Sequence, residues 1–323
     1  MGADVYGTSP AARSVFDTAD EALGFSLSTL CFEGPESALR ETVNTQPAIV
    51  ATSLALLAAL QEAAGADSGG DHRLCGPIQP AFVAGHSVGE FAAVAAAGAL
   101  NVADTLRLVR ERGRLMHAEG LRCASGMAAV LGMDAVSLDA ICVEATEQAR
   151  AALSAEEAAG HPGMGHVVVA NDNAPGQIVL SGAMPALEIA MERARAQGAK
   201  RVVPLVVSGA FHSPVMAPAA EALAAAVATA PVVAPQVPIV ANITAEPITT
   251  EAQLREELAQ QIVSPVQWTR TVEYLANHGV EIFVEIGVGQ VLAGLIKRIA
   301  KGATILAVGS ATDVALVAER LLV

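Results

Sequence analysis

Aromatic residues make up only 3% of the 323-residue chain and charged residues only 16%, against 53% hydrophobic residues. Alanine dominates the helical stretches, and the apolar fraction suffices for the core of one large domain or two modest ones. The four cysteines, Cys31, Cys75, Cys123 and Cys142, show no C-x-x-C pair and no zinc spacing. That excludes a disulfide or zinc framework and leaves buried or incidental thiols in a reducing compartment. An excess of basic charge is missing too: the formal net charge is −14, which excludes a general nucleic-acid-binding surface. Two local clusters, Arg107/Arg110/Arg114 and Lys297/Arg298/Lys301, are candidate docking points for an acidic partner, although each reads first as a solvated helix face. No basic segment followed by an apolar run opens the chain, so nothing directs it to secretion. The apolar runs read as too short or too interrupted to span a bilayer, with "ATSLALLAAL" (51–60) a buried helix. A cytoplasmic protein without a membrane partner is expected, and no internal repeat is present.

Helical patterns cover 9–22, opened by Ser9-Pro10, and 46–64. A Gly/Pro/Asp loop at 65–80 leads to a short apolar strand, "AFVAG" (81–85), which runs straight into "GHSVGEFAAVAAAGAL". Another helix starts at 101–104 and runs through Met116. From Met127 the pattern changes to strand "MAAVLGM", helical stretch 136–159, strands "HVVVAN" and "QIVLSG" joined by "DNAPG", helix 185–197 and strand 201–207. This βαββαβ order is that of a ferredoxin-like unit. It reads as an insert over 124–205 in a catalytic core made of 1–123 and 206–323. The last third alternates again: strand "VPIVAN", helices 251–262 and 268–278, strand "VEIFVEIG", helix 290–300, strand "TILAVG" and a terminal helix from 313. Strands alternating with helices imply an α/β core with a mostly parallel sheet covered on both faces.

A G-x-S-x-G between a strand and a helix is a nucleophile-elbow arrangement, with Gly85, Ser87 and Gly89 at the required positions. The glycines allow the sharp turn and close backbone packing on either side. Ser87 Oγ is then presented above a helix N-terminus, whose N–H groups, Val88 N–H first, face a developing oxyanion. A serine nucleophile needs a base. Of seven histidines, His72, His161 and His166 fall in loop-like stretches, His117 near a helix end and His278 beside a Gly turn, and all five read as surface residues. His86 adjoins Ser87 but points away on such a turn. His212, in "VVSGAFHSPVMAPA", follows a strand and a Ser-Gly bend, where the sites of α/β sheets lie. It is the better candidate.

The helix after the elbow adds an arginine in an unexpected place. At roughly 100° per residue, Leu106, Leu108, Val109, Gly113, Leu115 and Met116 cover one half of the wheel, and Arg112 falls among them. A buried guanidinium must be paired and hydrogen-bonded. Its partner is either an internal Asp or Glu or a carboxylate that arrives with the substrate.

With these residues in hand, the chain resembles the malonyl-CoA:acyl-carrier-protein transacylase family and is also similar to polyketide synthase acyltransferase domains. The likeness runs from residue 1 to about 310 through "NTQPAIVATSLAL", "AGHSVGEFAA", "LVRERGRLM", "SGAFHSPVM", "SPVQWTRTVEYL" and "VEIGVGQVLAGLIKRI", in family order. The resemblance implies a hydrolase-like α/β core with a ferredoxin-like insert. It implies Ser87 as the nucleophile that becomes O-malonylated, His212 as general base and Val88 as oxyanion-hole donor. Arg112 would bind the malonyl carboxylate, with Gln46 also at the substrate. Gln261 would orient the histidine through its backbone carbonyl, in place of a triad Asp. Phe211 would crowd out an α-methyl group. Malonyl-CoA is then the first substrate and acyl carrier protein, with its phosphopantetheine arm, the partner; the resemblance implies a monomer without cofactor or metal. Two departures stand out. The family opens on an apolar strand and a G-Q-G-S-Q loop that supplies a second oxyanion N–H, and Met1-Gly2 aligns with a Gly-Met just after it, so translation is expected to start upstream. Val288 stands where the block commonly has Pro.

Two other classes compete. An ordinary serine hydrolase usually carries its Asp and His near the C-terminus, whereas about a third of the chain follows His212, and such an enzyme has no use for Arg112. A non-catalytic scaffold would take up no acyl group.

Overall fold

The structure, a computed structural model, describes residues 1–65 and 76–322, so most of the 65–80 loop, with His72 and Cys75, lies outside the described residues. The main hydrophobic cluster is assembled around the Thr42–Ala63 helix, which packs on the Pro10–Leu23, Val102–Arg122 and Ala311–Leu321 helices. Ser9 caps the Pro10–Leu23 helix by accepting from Ala12 N, and Asn101 caps the Val102–Arg122 helix by accepting from Asp104 N. The Thr42–Ala63 helix is apolar nearly all round and is 22 residues long, enough by length and composition to cross a membrane, contrary to the expectation from runs. Most of it is buried inside the protein, as for a core helix. It also starts earlier than its pattern suggests, because Pro47 is accommodated inside it. Pro47 has no N–H for the Val43 carbonyl one turn back, and Arg110 Nη1 donates to that oxygen instead, at 3.3 Å.

The ferredoxin-like sheet forms from β1 (Ser125–Leu131), β2 (Val167–Ala174), β3 (Gln177–Ala183) and β4 (Arg201–Pro204), antiparallel in the order β2-β3-β1-β4. Ala128 and Val130 of β1 point to the Ala135–Ala151 and Met184–Ala196 helices, whereas Met127 joins Ala170 and Val179 on the other face, where Phe211 packs. The 136–159 pattern is two helices, Ala135–Ala151 and Ala155–Gly160. The "DNAPG" turn is shorter than expected, since β2 runs on through Asp172 and Asn173 with two register shifts and only Pro175-Gly176 turns. The strand expected over 201–207 stops at Pro204, and Leu205, Val206 and Val207 are exposed.

The rest of the chain is α/β, but its parallel sheet is cut into pieces among the described residues. Only β7 (Ile282–Ile286) and β8 (Thr304–Val308) form a parallel ladder. "AFVAG" contributes a single parallel bridge from Val83 to Ile239. β5 (Ile239–Val240) pairs with the unanticipated β6 (Pro247–Ile248) in an antiparallel hairpin. Helices Val291–Ile299 and Ala311–Leu321 pack on β8, and the Trp268–Asn277 helix shares a hydrophobic cluster with Val240 of β5 and Phe283 of β7.

The insert is tied to the core by polar contacts near the site. Thr269 Oγ1 donates to Asp172 Oδ1 at 2.7 Å. His161, expected at the surface, is instead buried: Gly163 N donates to its Nδ1 (3.0 Å), so Nε2 carries the proton and donates to buried Glu119 Oε1 at 2.7 Å. Glu119 lies near the end of the Val102–Arg122 helix, and this bond fixes the approach to β2 against it. Replacing His161 by Ala strips the buried carboxylate of that donor, at a cost of about 1.5–3 kcal/mol. Urea unfolding should show the midpoint falling accordingly, and an unchanged midpoint would mean the contact is not formed.

Candidate active site

Hydrogen bonds Val83 N to Pro238 O (3.0 Å) and Val240 N to Val83 O (2.9 Å) anchor the chain just before the elbow. Two residues on, a Cβ at Gly85 would sit 2.0 Å from Gly89 O, so only glycine lets the strand end and the Gly89–Ala96 helix approach this closely. Gly89 itself meets no such crowding; its backbone, not its missing side chain, makes the contact. Ser87 is held at φ 52°, a left-handed conformation rare for a residue with a side chain. Its N–H donates to Asn242 Oδ1 (2.7 Å), and Asn242 Nδ2 donates to Gly85 O (2.6 Å). The Ser87 carbonyl accepts from Gln261 Nε2 (2.9 Å). The Val88 N–H meets no acceptor among the described residues.

Ser87 Oγ lies 2.7 Å from His212 Nε2. His212, also in the left-handed region at φ 57°, donates its backbone N–H to Ile262 O (2.9 Å). Its Nδ1 lies 2.9 Å from Gln261 O and 3.1 Å from Ser264 O. Carbonyls only accept, so Nδ1 carries the hydrogen and Nε2 presents its lone pair to Ser87. These carbonyls are available because the expected 251–262 helix ends at Gln260, ahead of Pro265, and continues as a 3₁₀ turn, Gln261–Val263. Burial, with the charge of Arg112 next, pushes the imidazole pKa down to about 3.

Arg112 is 1% exposed. Its Nη1 donates to Gln46 Oε1, and its Nη2 donates to Gln261 Oε1 (2.9 Å) and Ser87 Oγ (3.1 Å). Nε has no hydrogen-bond partner, and no carboxylate lies within ion-pair distance, both among the described residues. Burial lowers the Arg112 pKa to about 9, with the charge of Glu90 opposing, so the group stays cationic at neutral pH. The internal-partner reading of Arg112 is therefore replaced by a cation held on neutral oxygens.

The structure thus brings together Ser87, His212, Arg112, Gln261 and Gln46. Gln46 reaches the site through Arg112 rather than through Ser87, and its amide nitrogen rests 3.4 Å from Met116 Sδ. Phe211 turns onto Met127, Ala170 and Val179 of the insert sheet. His86 points away, with Nε2 2.7 Å from Asn173 Oδ1 and its ring against Trp268. Three residues at the site went unanticipated: Asn242, at the end of "VPIVAN"; Glu90, completing "GHSVGE"; and Glu257. All three are buried. The only hint in the sequence was a carboxyl in the first turn of an otherwise apolar helix. Arg107 and Arg114 are exposed and paired with Asp104 and Glu111, and Arg110 lies over the Phe25 ring at 4.5 Å. In the second basic cluster, Arg298 is held by Gln177 and the Pro175 carbonyl. Among the described residues, no group of three or more His, Cys, Asp or Glu is arranged to hold a metal ion.

Residues 1–314 match the acyl transferase domain family. The malonyl CoA-acyl carrier protein transacylase of Bacillus subtilis is 39% identical over 322 residues, covering 99% of this chain and 92% of that relative. The crystal structure of the acyl-carrier-protein S-malonyltransferase of Bartonella henselae superposes with a TM-score of 0.87 at 38% identity, covering 100% of this chain and 95% of that one. A malonyl-transacylase solved in complex with a type II polyketide acyl-carrier protein superposes with a TM-score of 0.85 at 34% identity, covering 99% and 94% of the two chains.

Because the folded His212 pKa lies near 3, below the 6.5 of an exposed imidazole, the unfolded chain takes the proton first as pH falls. The imidazole therefore subtracts stability progressively as pH falls from about 6.5 towards 3 and has no such effect above that window. Nitrogen-15 NMR of labelled histidine should find His212 neutral, with hydrogen on Nδ1, from pH 8 down to pH ~5. A protonation step near 6.5 would contradict the buried geometry.

Proposed function

The chain belongs to the acyl transferase domain family, and from that premise we propose that it transfers a malonyl group from malonyl-CoA to the phosphopantetheine thiol of acyl carrier protein in fatty acid synthesis. The observation that carries this reading is the Ser87–His212 contact of 2.7 Å beside a buried guanidinium that has, among the described residues, an unused N–H and no carboxylate of its own. A general esterase has no use for such a cation. An acyl group that ends in a carboxylate supplies the missing counter-charge.

In the first half-reaction His212 Nε2 takes the proton from Ser87 Oγ as the oxygen attacks the thioester carbonyl. The tetrahedral oxyanion forms against the Val88 N–H at the helix N-terminus. Collapse breaks the C–S bond, CoA leaves as its thiol with the proton from His212, and the malonyl group stays as an ester on Ser87. Gln261 O holds the Nδ1–H of the imidazole throughout. In the second half-reaction His212 takes the proton of the phosphopantetheine thiol, the sulfur attacks the ester, and Ser87 recovers its proton. Arg112, set by Gln46 and Gln261, grips the malonyl carboxylate in both halves. No cofactor or metal enters. Phe211 narrows the space for an α-methyl group, an apolar discrimination worth about 1–3 kcal/mol. We read 1–123 and 206–323 as the catalytic core and 124–205 as the insert of a cytoplasmic monomer.

Incubation with malonyl-CoA followed by intact-mass measurement should show one malonyl adduct, absent from Ser87→Ala and discharged by holo acyl carrier protein faster than by water. Arg112→Ala should lose the malonyl preference and favour acetyl-CoA. Discharge mainly to water would identify a hydrolase, and an unchanged preference in Arg112→Ala would rule out the clamp.

A further inference from the structure

Close to the nucleophile lies a carboxyl that the reaction does not use. Glu90 is wholly buried in the first turn of the elbow helix, three residues after Ser87. Each of its oxygens accepts from a different residue. Oε1 takes the backbone N–H of Asn242 (2.9 Å), and Oε2 takes the side-chain amide of Gln261. Neither partner is a bystander. Asn242 brackets the elbow with its own side chain, accepting from Ser87 N and donating to Gly85 O. Gln261 touches every reacting group: its Nε2 donates to Ser87 O, its Oε1 accepts from Arg112 Nη2 and its backbone O accepts from His212 Nδ1.

We propose that Glu90 is a positioning residue that holds nucleophile, base and carboxylate clamp in one register, through Asn242 on one oxygen and Gln261 on the other. The inference rests on the transferase reading above. Asn242 follows β5 and Gln261 opens the turn after the Glu251–Gln260 helix. Each also bonds the elbow directly, and Glu90 adds one carboxyl that accepts from both. Glu257, also buried, faces the same corner and accepts from Ile243 N (3.0 Å). Burial and the neighbouring Glu257 hold the Glu90 carboxyl well above its usual range.

Glutamine at position 90 tests this, because both Glu90 oxygens accept and an amide offers only one acceptor. Its NH₂ group must face either the Asn242 N–H or the Gln261 amide, and one arm has to let go. Glu90→Gln should slow formation of the acyl-serine by up to about 100-fold, the scale of a small misplacement of reacting groups. It should also lower the malonyl-over-acetyl rate ratio, because Arg112 loses its fixed Gln261. Asn242→Ala cuts only the elbow bracket and should slow acylation by malonyl-CoA and acetyl-CoA by the same factor. The rates are read by rapid-quench mass spectrometry alongside each variant's unfolding midpoint. A folded Glu90→Gln variant with wild-type rate and ratio overturns the proposal, as does one that loses rate with the ratio intact. If Glu90→Gln does not fold, Gln261→Met cuts the same arm from the other side and leaves the backbone carbonyl to His212; an unchanged ratio there overturns the proposal equally. A wild-type chain that takes up no acyl group removes the transferase reading itself, and normal wild-type labelling with indifferent variants removes only the role of Glu90.

Discussion

Arg112 is a full positive charge placed out of solvent, hydrogen-bonded among the described residues by amide and hydroxyl oxygens and by no carboxylate. An unpaired buried ion costs several kcal/mol unless neighbouring dipoles or a counter-charge offset it. The rest of the site can be read as a response to that constraint. Gln46 and Gln261 spend side-chain amides on the guanidinium: Gln46 is brought to it by the packing of the Thr42–Ala63 helix on the Val102–Arg122 helix, and Gln261 by the 3₁₀ turn after the Glu251–Gln260 helix. The same charge, together with burial, keeps His212 unprotonated, and an imidazole with its lone pair free is what a serine nucleophile needs. One buried cation, with burial itself, therefore helps keep the base neutral, and in the proposed reaction it also receives the acyl carboxylate.

Backbone strain at the site is offset by polar contacts from distant parts of the chain. Ser87 and His212 both occupy the left-handed region, and each is fixed from outside its own segment: Ser87 by Asn242 and Gln261, His212 by Ile262, Gln261 and Ser264. Gln261 recurs because a helix stops one residue before it. The 3₁₀ turn that follows frees carbonyls for the imidazole while the side chain reaches back to the arginine. A proline four residues further on is enough to stop the helix there.

Much of this was legible in the sequence. The elbow, His212 after its strand and Arg112 on an apolar helix face each follow from local pattern. The ferredoxin-like order emerges from alternating strand and helix signals, and it matches the β2-β3-β1-β4 sheet. What stayed hidden depends on contacts far apart in the chain. Nothing local marks Asn242 as the bracket of a turn 157 residues earlier or His161 as the buried partner of Glu119. The core strands were overestimated because apolar runs such as "AFVAG" satisfy strand periodicity whether or not a neighbour pairs with them. Pro47 hid the start of its helix because the donor that replaces its missing N–H, Arg110, lies on another helix.

The central claim is that the buried guanidinium recognises the free carboxylate of an acyl group carried on Ser87. A crystal structure of the chain trapped after incubation with malonyl-CoA tests it most directly. The account predicts an ester on Ser87 Oγ with its distal carboxylate hydrogen-bonded to Arg112, engaging the Nε–H that has no partner among the described residues. Density for a malonyl group on Ser87 whose carboxylate points to solvent, with Arg112 still bound only to Gln46 and Gln261, would contradict it.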